Sequence, residues 1–514
     1  MLIYDLEKRG RHPLYEYLYL CIREDILRGV IKAGEKLPSK REMAQGLGIA
    51  LITVENAYAQ LMIEGYISAR ERSGYYVEHV LTEGAYGQAH GHAAAQEDGE
   101  ESAPRMTAQS TSYKGAGSGR LSASRIAALG GGGGDKSHMA SQKGEGGAGD
   151  WLVDFSSGAI RKDAFPMDSW AKLMRRVLSD GGESLLEKPA SKGVFELRRV
   201  LADYLQKAKG LEVDPEQILI GPGTEYLHHV ILQLLGPGRI VAVEDPGYKK
   251  VGQIYEGDGL KCLHVPVDQN GLIVSKLWGS NASLVHTSPS HHFPTGCVMS
   301  IGRRRELLHW ANEQGAYIIE DDYDSEFRFD GRPISTLASL DGDRVIYMNT
   351  FTKTLAPSIR IAYAVLPREL VDGYDRKLFY YSGAVSSFEQ YTLAAFIGEG
   401  YYERHINRMR NYYRQQRKKI LEALRESPLS ERAAVEEHTA GLHFILKISG
   451  IKEDERWLGK LREKGIRLSP VSEFCYGQAE KYRHRFVVYY SDLEEENLRK
   501  AFEIMAALQY LEGM

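Results

Sequence analysis

Cysteine is scarce: only Cys21, Cys262, Cys297 and Cys475 occur in 514 residues, and none forms a CxxC pair. That spacing gives no zinc ribbon and no disulfide framework, so the thiols read as reduced, the protein as cytoplasmic and metal-free. No apolar run approaches the roughly 18 residues that a membrane span needs, so no membrane role is expected. A positive balance is also lacking, since 65 Lys+Arg face 69 Asp+Glu for a net charge of -4. This excludes a chain that coats nucleic acid by bulk electrostatics and leaves only local basic patches for DNA. The apolar share of 43% and charged share of 26% are ordinary globular chemistry, and the length implies at least two domains.

Residues 81–150 divide the chain. They hold 16 glycines, five of them consecutive at 130–134, and few large apolar side chains. Such a segment cannot bury enough surface to offset its ordering entropy, which predicts a flexible tether. The expected organisation is a small domain over 1–80, a linker over 81–150 and a large domain over 151–514.

In the first segment, Tyr15, Leu18, Tyr19, Ile22 and Ile26 fall at helical spacing. "SKRE" supplies a capping box from Ser39 to Glu42, opening a short helix that turns at Gly48. A third helix carries Val54, Ala57, Tyr58 and Leu61 on one face and Thr53, Asn56 and Gln60 on the other. Two helices joined by a short glycine turn form a helix-turn-helix, and "GYISARERSGYYV" adds two strands around a basic tip at Arg70 and Arg72. Residues 1–80 are electrically neutral, with 11 basic against 11 acidic side chains. Yet Lys36, Lys40, Arg41, Arg70 and Arg72 gather where this fold would meet phosphates. The stretch "GEKLPSKREMAQGLGIALITVENAYAQLMIEGYI" resembles the winged helix-turn-helix of GntR-family transcription regulators. The resemblance implies operator DNA as partner, with Lys40, Arg41, Thr53, Asn56 and Arg72 on the DNA face. Family members usually carry Ser-Arg before the Thr-Val pair of the recognition helix; Ala50 and Leu51 stand there, followed by Ile52.

From Trp151 onward, short β-rich runs alternate with helical patterns, which predicts an α/β domain with a mostly parallel sheet and ligand residues at the carboxyl ends of strands. A phosphorylated pyridine aldehyde needs an amine, an anion for the ring nitrogen, a donor for the ring oxygen, a stacking surface and a phosphate cradle. Lys353 in "NTFTKTLAPSIR" is the amine, suited to a Schiff base. In "IIEDDYD", strand alternation points Asp321 and Tyr323 together, toward the ring nitrogen and ring oxygen, and Asp322 away. Gly223 and Thr224 open a helix whose free N–H groups favour a phosphate, Thr350, Thr352 and Arg360 complete the cradle, and Tyr248 in "DPGY" stacks on the ring.

This order of motifs resembles the fold-type I aminotransferases that bind pyridoxal 5'-phosphate, across residues 151–514. With the GntR-like head attached, the whole chain resembles the MocR/GabR group of regulators. The resemblance implies a homodimer, head-to-tail and domain-swapped, that senses pyridoxal phosphate and, in some members, an amino acid or amine. Arg485 in "KYRHRFVVYYSDL" is the expected ligand for an effector carboxylate. The alternative is an active aminotransferase with an accessory DNA-binding domain. Against full turnover, "SPSHHFPTG" sets Phe293 where catalytic relatives carry the Asn of Asn-Pro-Thr-Gly.

Overall fold

The computed structural model describes residues 4–10, 12–70, 73–78, 151–158, 162–329, 334–436, 441–452, 454–490 and 493–513. The expected tether and the wing-tip Arg72 lie outside the described residues.

The head runs α1 (Leu14–Leu27), β1 (Lys36–Leu37), α2 (Lys40–Leu47), α3 (Leu51–Ile63), β2 (Ile67–Arg70) and β3 (Gly74–Val77). Its three strands pair antiparallel in the order β1-β3-β2. Ser39 and Glu42 close the capping box reciprocally, and Gly48 ends α2 at φ 63°, a left-handed turn that glycine makes without strain. Leu18, Tyr19, Ile22, Ile26, Val54, Ala57, Tyr58 and Leu61 form the head core. The helical spacing misplaced Gln60, which is buried: its amide donates to Glu64, whose carboxyl also accepts from Tyr19 at 2.6 Å.

The large domain opens with β4 (Val153–Asp154), α4 (Met167–Asp180) and α5 (Phe195–Lys209). Its alternating centre begins with β5 (Ile218–Gly221), α6 (Thr224–Leu235), β6 (Ile240–Asp245), α7 (Lys249–Gly257), β7 (Lys261–Asp268), β8 (Gly271–Leu272) and β9 (Leu284–Thr287). It continues with α8 (Ile301–Gln314), β10 (Tyr317–Asp321), α9 (Leu337–Leu340), β11 (Val345–Thr350), β12 (Ala362–Val365) and α10 (Arg368–Lys377). Two helices, α11 (Ser387–Gly398) and α12 (Tyr401–Glu426), lead to β13 (Ala433–Glu436), β14 (His443–Ile448) and α13 (Asp454–Glu463). The chain then forms β15 (Ile466–Arg467), β16 (Ser469–Pro470), β17 (Arg485–Tyr489) and α14 (Glu495–Gly513).

The main sheet has the order β5-β12-β11-β10-β9-β6-β7-β8. Strands β11, β10, β9, β6 and β7 are parallel to their neighbours in that run, while β12 is antiparallel to both β11 and β5. Parallel strands buried on both faces need continuous apolar runs, and β9, β10 and β11 supply them with Leu284, Val285, Ile318, Ile319, Val345 and Ile346. A smaller antiparallel sheet has the order β13-β14-β17-β16.

The head packs on the large domain in one compact unit. Ile301, the first residue of α8, is buried within the head's own apolar core, and its N–H donates to the Glu64 carbonyl at 2.9 Å. Gly65 lies at φ +77°, and a Cβ there would come within 2.9 Å of the Ser300 Cβ, so both conformation and space call for glycine.

Behind the sheet, Lys209 of α5 donates to Asp322 at 2.9 Å with both side chains almost fully buried, and the Tyr347 hydroxyl donates to the same oxygen at 2.7 Å. Removing one partner of a buried ion pair leaves an uncompensated charge, which costs about 3–5 kcal/mol. Lys209→Met is therefore expected to destabilise the large domain by about that amount, seen as a lower thermal midpoint; an unchanged midpoint would show that Asp322 needs no counter-ion.

Candidate functional site

The carboxyl ends of β5, β6, β9, β10 and β11 converge on a cavity of about 430 Å³. Open parallel sheets bind ligands at this end. Lys353, three residues beyond β11, reaches into the cavity, and its amine donates to the Gly158 carbonyl at 3.2 Å. Burial lowers its pKa, opposed by the nearby Asp324. A Cβ on Gly158 would sit 2.9 Å from the lysine nitrogen, so this glycine gives the amine its room.

Asp321 and Tyr323 line the cavity, while Asp322 between them points to Lys209 on the other side. Burial pushes the Asp321 carboxyl up to about 7, with Asp322 and Asp324 adding to the effect. One Asp321 oxygen is buried without a hydrogen-bond partner, and the other lies 3.7 Å from His286 Nε2. A buried orphan acceptor is costly, and a ligand N–H donor would relieve that cost. The Tyr323 hydroxyl lies 3.2 Å from His291 Nδ1, which is 2.9 Å from Asp324.

At the opposite end of the cavity, α6 starts at Thr224 after Gly223, whose φ is +115°. Any Cβ on Gly223 would run into the Arg360 guanidinium. Arg360, held at φ 46°, donates to Glu225 at 2.7 Å, and Lys250 pairs with the same carboxylate. Thr350 and Thr352 face this end with their hydroxyls 2.9 Å apart. A helix start, two hydroxyls and two cations gathered on one carboxylate make an anion seat. Tyr248 lines the cavity as an exposed wall, edge-on to Phe293 at 6.0 Å between ring centroids.

Arg485 is not part of this arrangement. It stands at the start of β17, where Glu436 accepts from it at 2.9 Å and the Lys481 carbonyl accepts at 2.9 Å. Tyr489 at the other end of the strand does line the cavity, four residues or about 13 Å further along an extended backbone. An arginine at position 485 cannot bridge that distance, so the expected carboxylate contact is withdrawn.

Glu225, Glu244, Lys250, His286, Tyr476 and Tyr489 line the cavity without having been singled out. His286 and Ser288 alternate at the end of β9 much as Asp321 and Tyr323 do after β10. That period-two pattern was a usable signal for His286.

On the head, Asn56 and Arg41 are exposed, Thr53 is half-buried, and Lys40 lies 3.7 Å from Glu55 and over the Tyr75 ring. Arg70 covers the Tyr76 ring at 4.3 Å on the wing.

The sequence matches the family described as Aminotransferase class I and II over residues 151–504, and the family described as Bacterial regulatory proteins, gntR family, over residues 14–77. The fold is similar to that of Pyrococcus horikoshii kynurenine aminotransferase, at a TM-score of 0.62 and 24% identity over 71% of this chain and 92% of that one. A winged helix-turn-helix joined to an aminotransferase fold defines a class of transcriptional regulators. The chain is 35% identical to the uncharacterized HTH-type transcriptional regulator YdeL of Bacillus subtilis, over 90% of this chain and 89% of that protein. It is 31% identical to the probable rhizopine catabolism regulatory protein MocR of Rhizobium meliloti, over 91% and 88%. It is 26% identical to the pyridoxine biosynthesis transcriptional regulator PdxR of Corynebacterium glutamicum, over 89% and 87%. The chain belongs to this family of MocR-type transcriptional regulators, with a GntR head on an aminotransferase class I and II domain.

The raised pKa of Asp321 has a consequence for stability. The folded protein holds its proton up to about pH 7, while an unfolded aspartate releases it near 3.8. Between those values the folded state binds more protons, so stability falls as pH rises through that window. Asp321→Asn cannot titrate, and in cofactor-free protein it is expected to gain stability relative to wild type as pH rises from about 4 to about 7. Chemical denaturation at several pH values checks this; a difference constant with pH would mean that Asp321 ionises normally.

Proposed function

We propose that the protein is a transcriptional regulator that binds pyridoxal 5'-phosphate through Lys353 and adjusts operator binding in response. The observation that carries this reading is one cavity shared by a half-buried lysine, a carboxylate with one buried, unpartnered oxygen, and an anion seat. These residues fit the group. Asp321 would accept from the pyridine N–H, Tyr323 would donate to the ring oxygen, and Tyr248 would cover one ring face. Gly223, Thr224, Thr350, Thr352 and Arg360 would hold the phosphate, with Arg360 turning from Glu225, its present partner, to do so. When bound, pyridoxal phosphate supplies an aldehyde carbon that a lysine or an effector amine can join covalently. The depressed pKa of Lys353 keeps a larger share of its amine unprotonated and able to attack.

Phe293 on the cavity wall adds an apolar ring where catalytic relatives carry an amide, which favours sensing over full turnover. An amine effector, a homodimer with exchanged heads and residence in the cytoplasm complete the reading.

A physical route joins the cavity to the head. Arg304 of α8 is buried and donates to the carbonyls of Pro289 at 2.7 Å and Met299 at 2.9 Å. It thus clamps both ends of the loop from which Ser288 and Phe293 reach the cavity. One turn earlier on α8, Ile301 inserts into the head core. A ligand that moves this loop would shift the seat on which the head rests, and an equilibrium shift of this kind must be reciprocal.

Borohydride reduction of protein loaded with pyridoxal phosphate should fix the cofactor on Lys353, and Lys353→Ala should lose that label while retaining operator binding. A label mapped to another lysine would move the site. For the route to the head, Ile301→Ala should keep cofactor binding but lose most of the change in operator affinity that pyridoxal phosphate causes in wild type, a coupling of about 1–3 kcal/mol. An equal response in both proteins would take Ile301 out of the pathway.

A further inference from the structure

At the N-terminal end of α3, Leu51 is 40% and Ile52 59% exposed even with the head seated on the large domain. Asn56, one turn beyond Ile52, is exposed as well. Their neighbours Val54, Ala57, Tyr58 and Leu61 fill the head core from the opposite face, so packing gives no reason for two large aliphatic side chains in water. In a helix-turn-helix the second helix lies in the major groove and contacts base edges through its N-terminal residues.

The chemistry of α3 is unusual for that task. Its sequence, LITVENAYAQLMI, contains no lysine and no arginine. The fork that reads guanine O6 and N7 is therefore missing from the helix. Glu55, which could accept from cytosine, lies 3.7 Å from Lys40. What remains is a carboxamide, which matches adenine N6 and N7, two branched aliphatic groups, which match the thymine 5-methyl, and the half-buried Thr53, whose hydroxyl serves any base and so selects none. Lys40, Arg41 and Arg70 stand on the neighbouring helix and the wing, where positive charge serves phosphate contacts.

We propose that α3 reads A·T pairs, Asn56 through adenine and Leu51 and Ile52 through thymine methyl groups. This rests on the operator-binding reading and names the bases that it selects. The full-length protein is used to enrich a random-sequence duplex library, and the enrichment is repeated with Asn56→Ala and with a Leu51→Ser, Ile52→Ser double variant. All three side chains are on the surface, and unaltered thermal unfolding verifies that the head is intact. The positions whose preference relaxes in the variants should be A·T. Replacing thymine by deoxyuridine at those positions removes only the methyl group, and should weaken wild-type binding about fourfold per site, the order expected for one buried methyl. The serine double variant should be indifferent to the same replacement. Variant-sensitive positions that are G·C, or wild-type binding that ignores the missing methyl, would overturn the assignment. Salt-dependent binding without any enriched sequence would overturn it too while sparing the operator-binding reading, whereas retention of no duplex at all would sink both.

Discussion

Three consecutive carboxylates at the end of β10 and just beyond it, Glu320, Asp321 and Asp322, cannot share one environment, and their separation organises the large domain. Strand alternation sends Asp321 into the cavity and its neighbours the other way. Glu320 accepts from the N–H groups of Leu337 at 2.8 Å and Ala338 at 3.0 Å, capping α9, with Arg304 at 3.8 Å. Asp322 is neutralised by Lys209 of α5 and bonded by Tyr347. The unpaired member is Asp321, whose carboxyl is pushed up to about 7 by burial and by the charges beside it. Satisfying its two neighbours elsewhere thus leaves one carboxylate on the cavity with an unpartnered oxygen.

The same arrangement reaches the head. Arg304 faces Glu320 on one side and the carbonyls of Pro289 and Met299 on the other. Its helix begins at Ile301, which is part of the head's core. Glu64, at the matching end of α3, is buried and its pKa is raised by that burial. Cavity, buried ionic layer and head are therefore contiguous, and packed interiors transmit small displacements because they have few voids to absorb them.

Much of this was legible in the sequence, and the reasons differ from place to place. The capping box at Ser39 and Glu42 is a local contact between residues three apart, so its chemistry is complete in four letters. The opposite directions of Asp321 and Asp322 follow from backbone pleating alone. Gln60 was not legible, because helical spacing assigns a face without revealing that Glu64 and Tyr19 form a buried polar cluster there. Arg485 was misread for a related reason: it lies too far along β17, beside Glu436 of β13, and only strand register exposes that partnership. Glu225 adjoins the Gly-Thr motif in sequence, yet its role in holding Arg360 and Lys250 depends on two other segments folding over the start of α6.

The sequence by itself determined the two kinds of domain, the opposite directions of Asp321 and Asp322, and the apolar face of the third head helix, since each follows from local periodicity or short-range motif chemistry. Tertiary structure alone decided which groups share a cavity, which carboxylate is left without a partner, and where the head is seated. Those outcomes depend on contacts between residues tens to hundreds of positions apart, such as Lys209 with Asp322 and Ile301 with Glu64. Burial and electrostatic pairing are properties of the packed chain, and no local pattern encodes them.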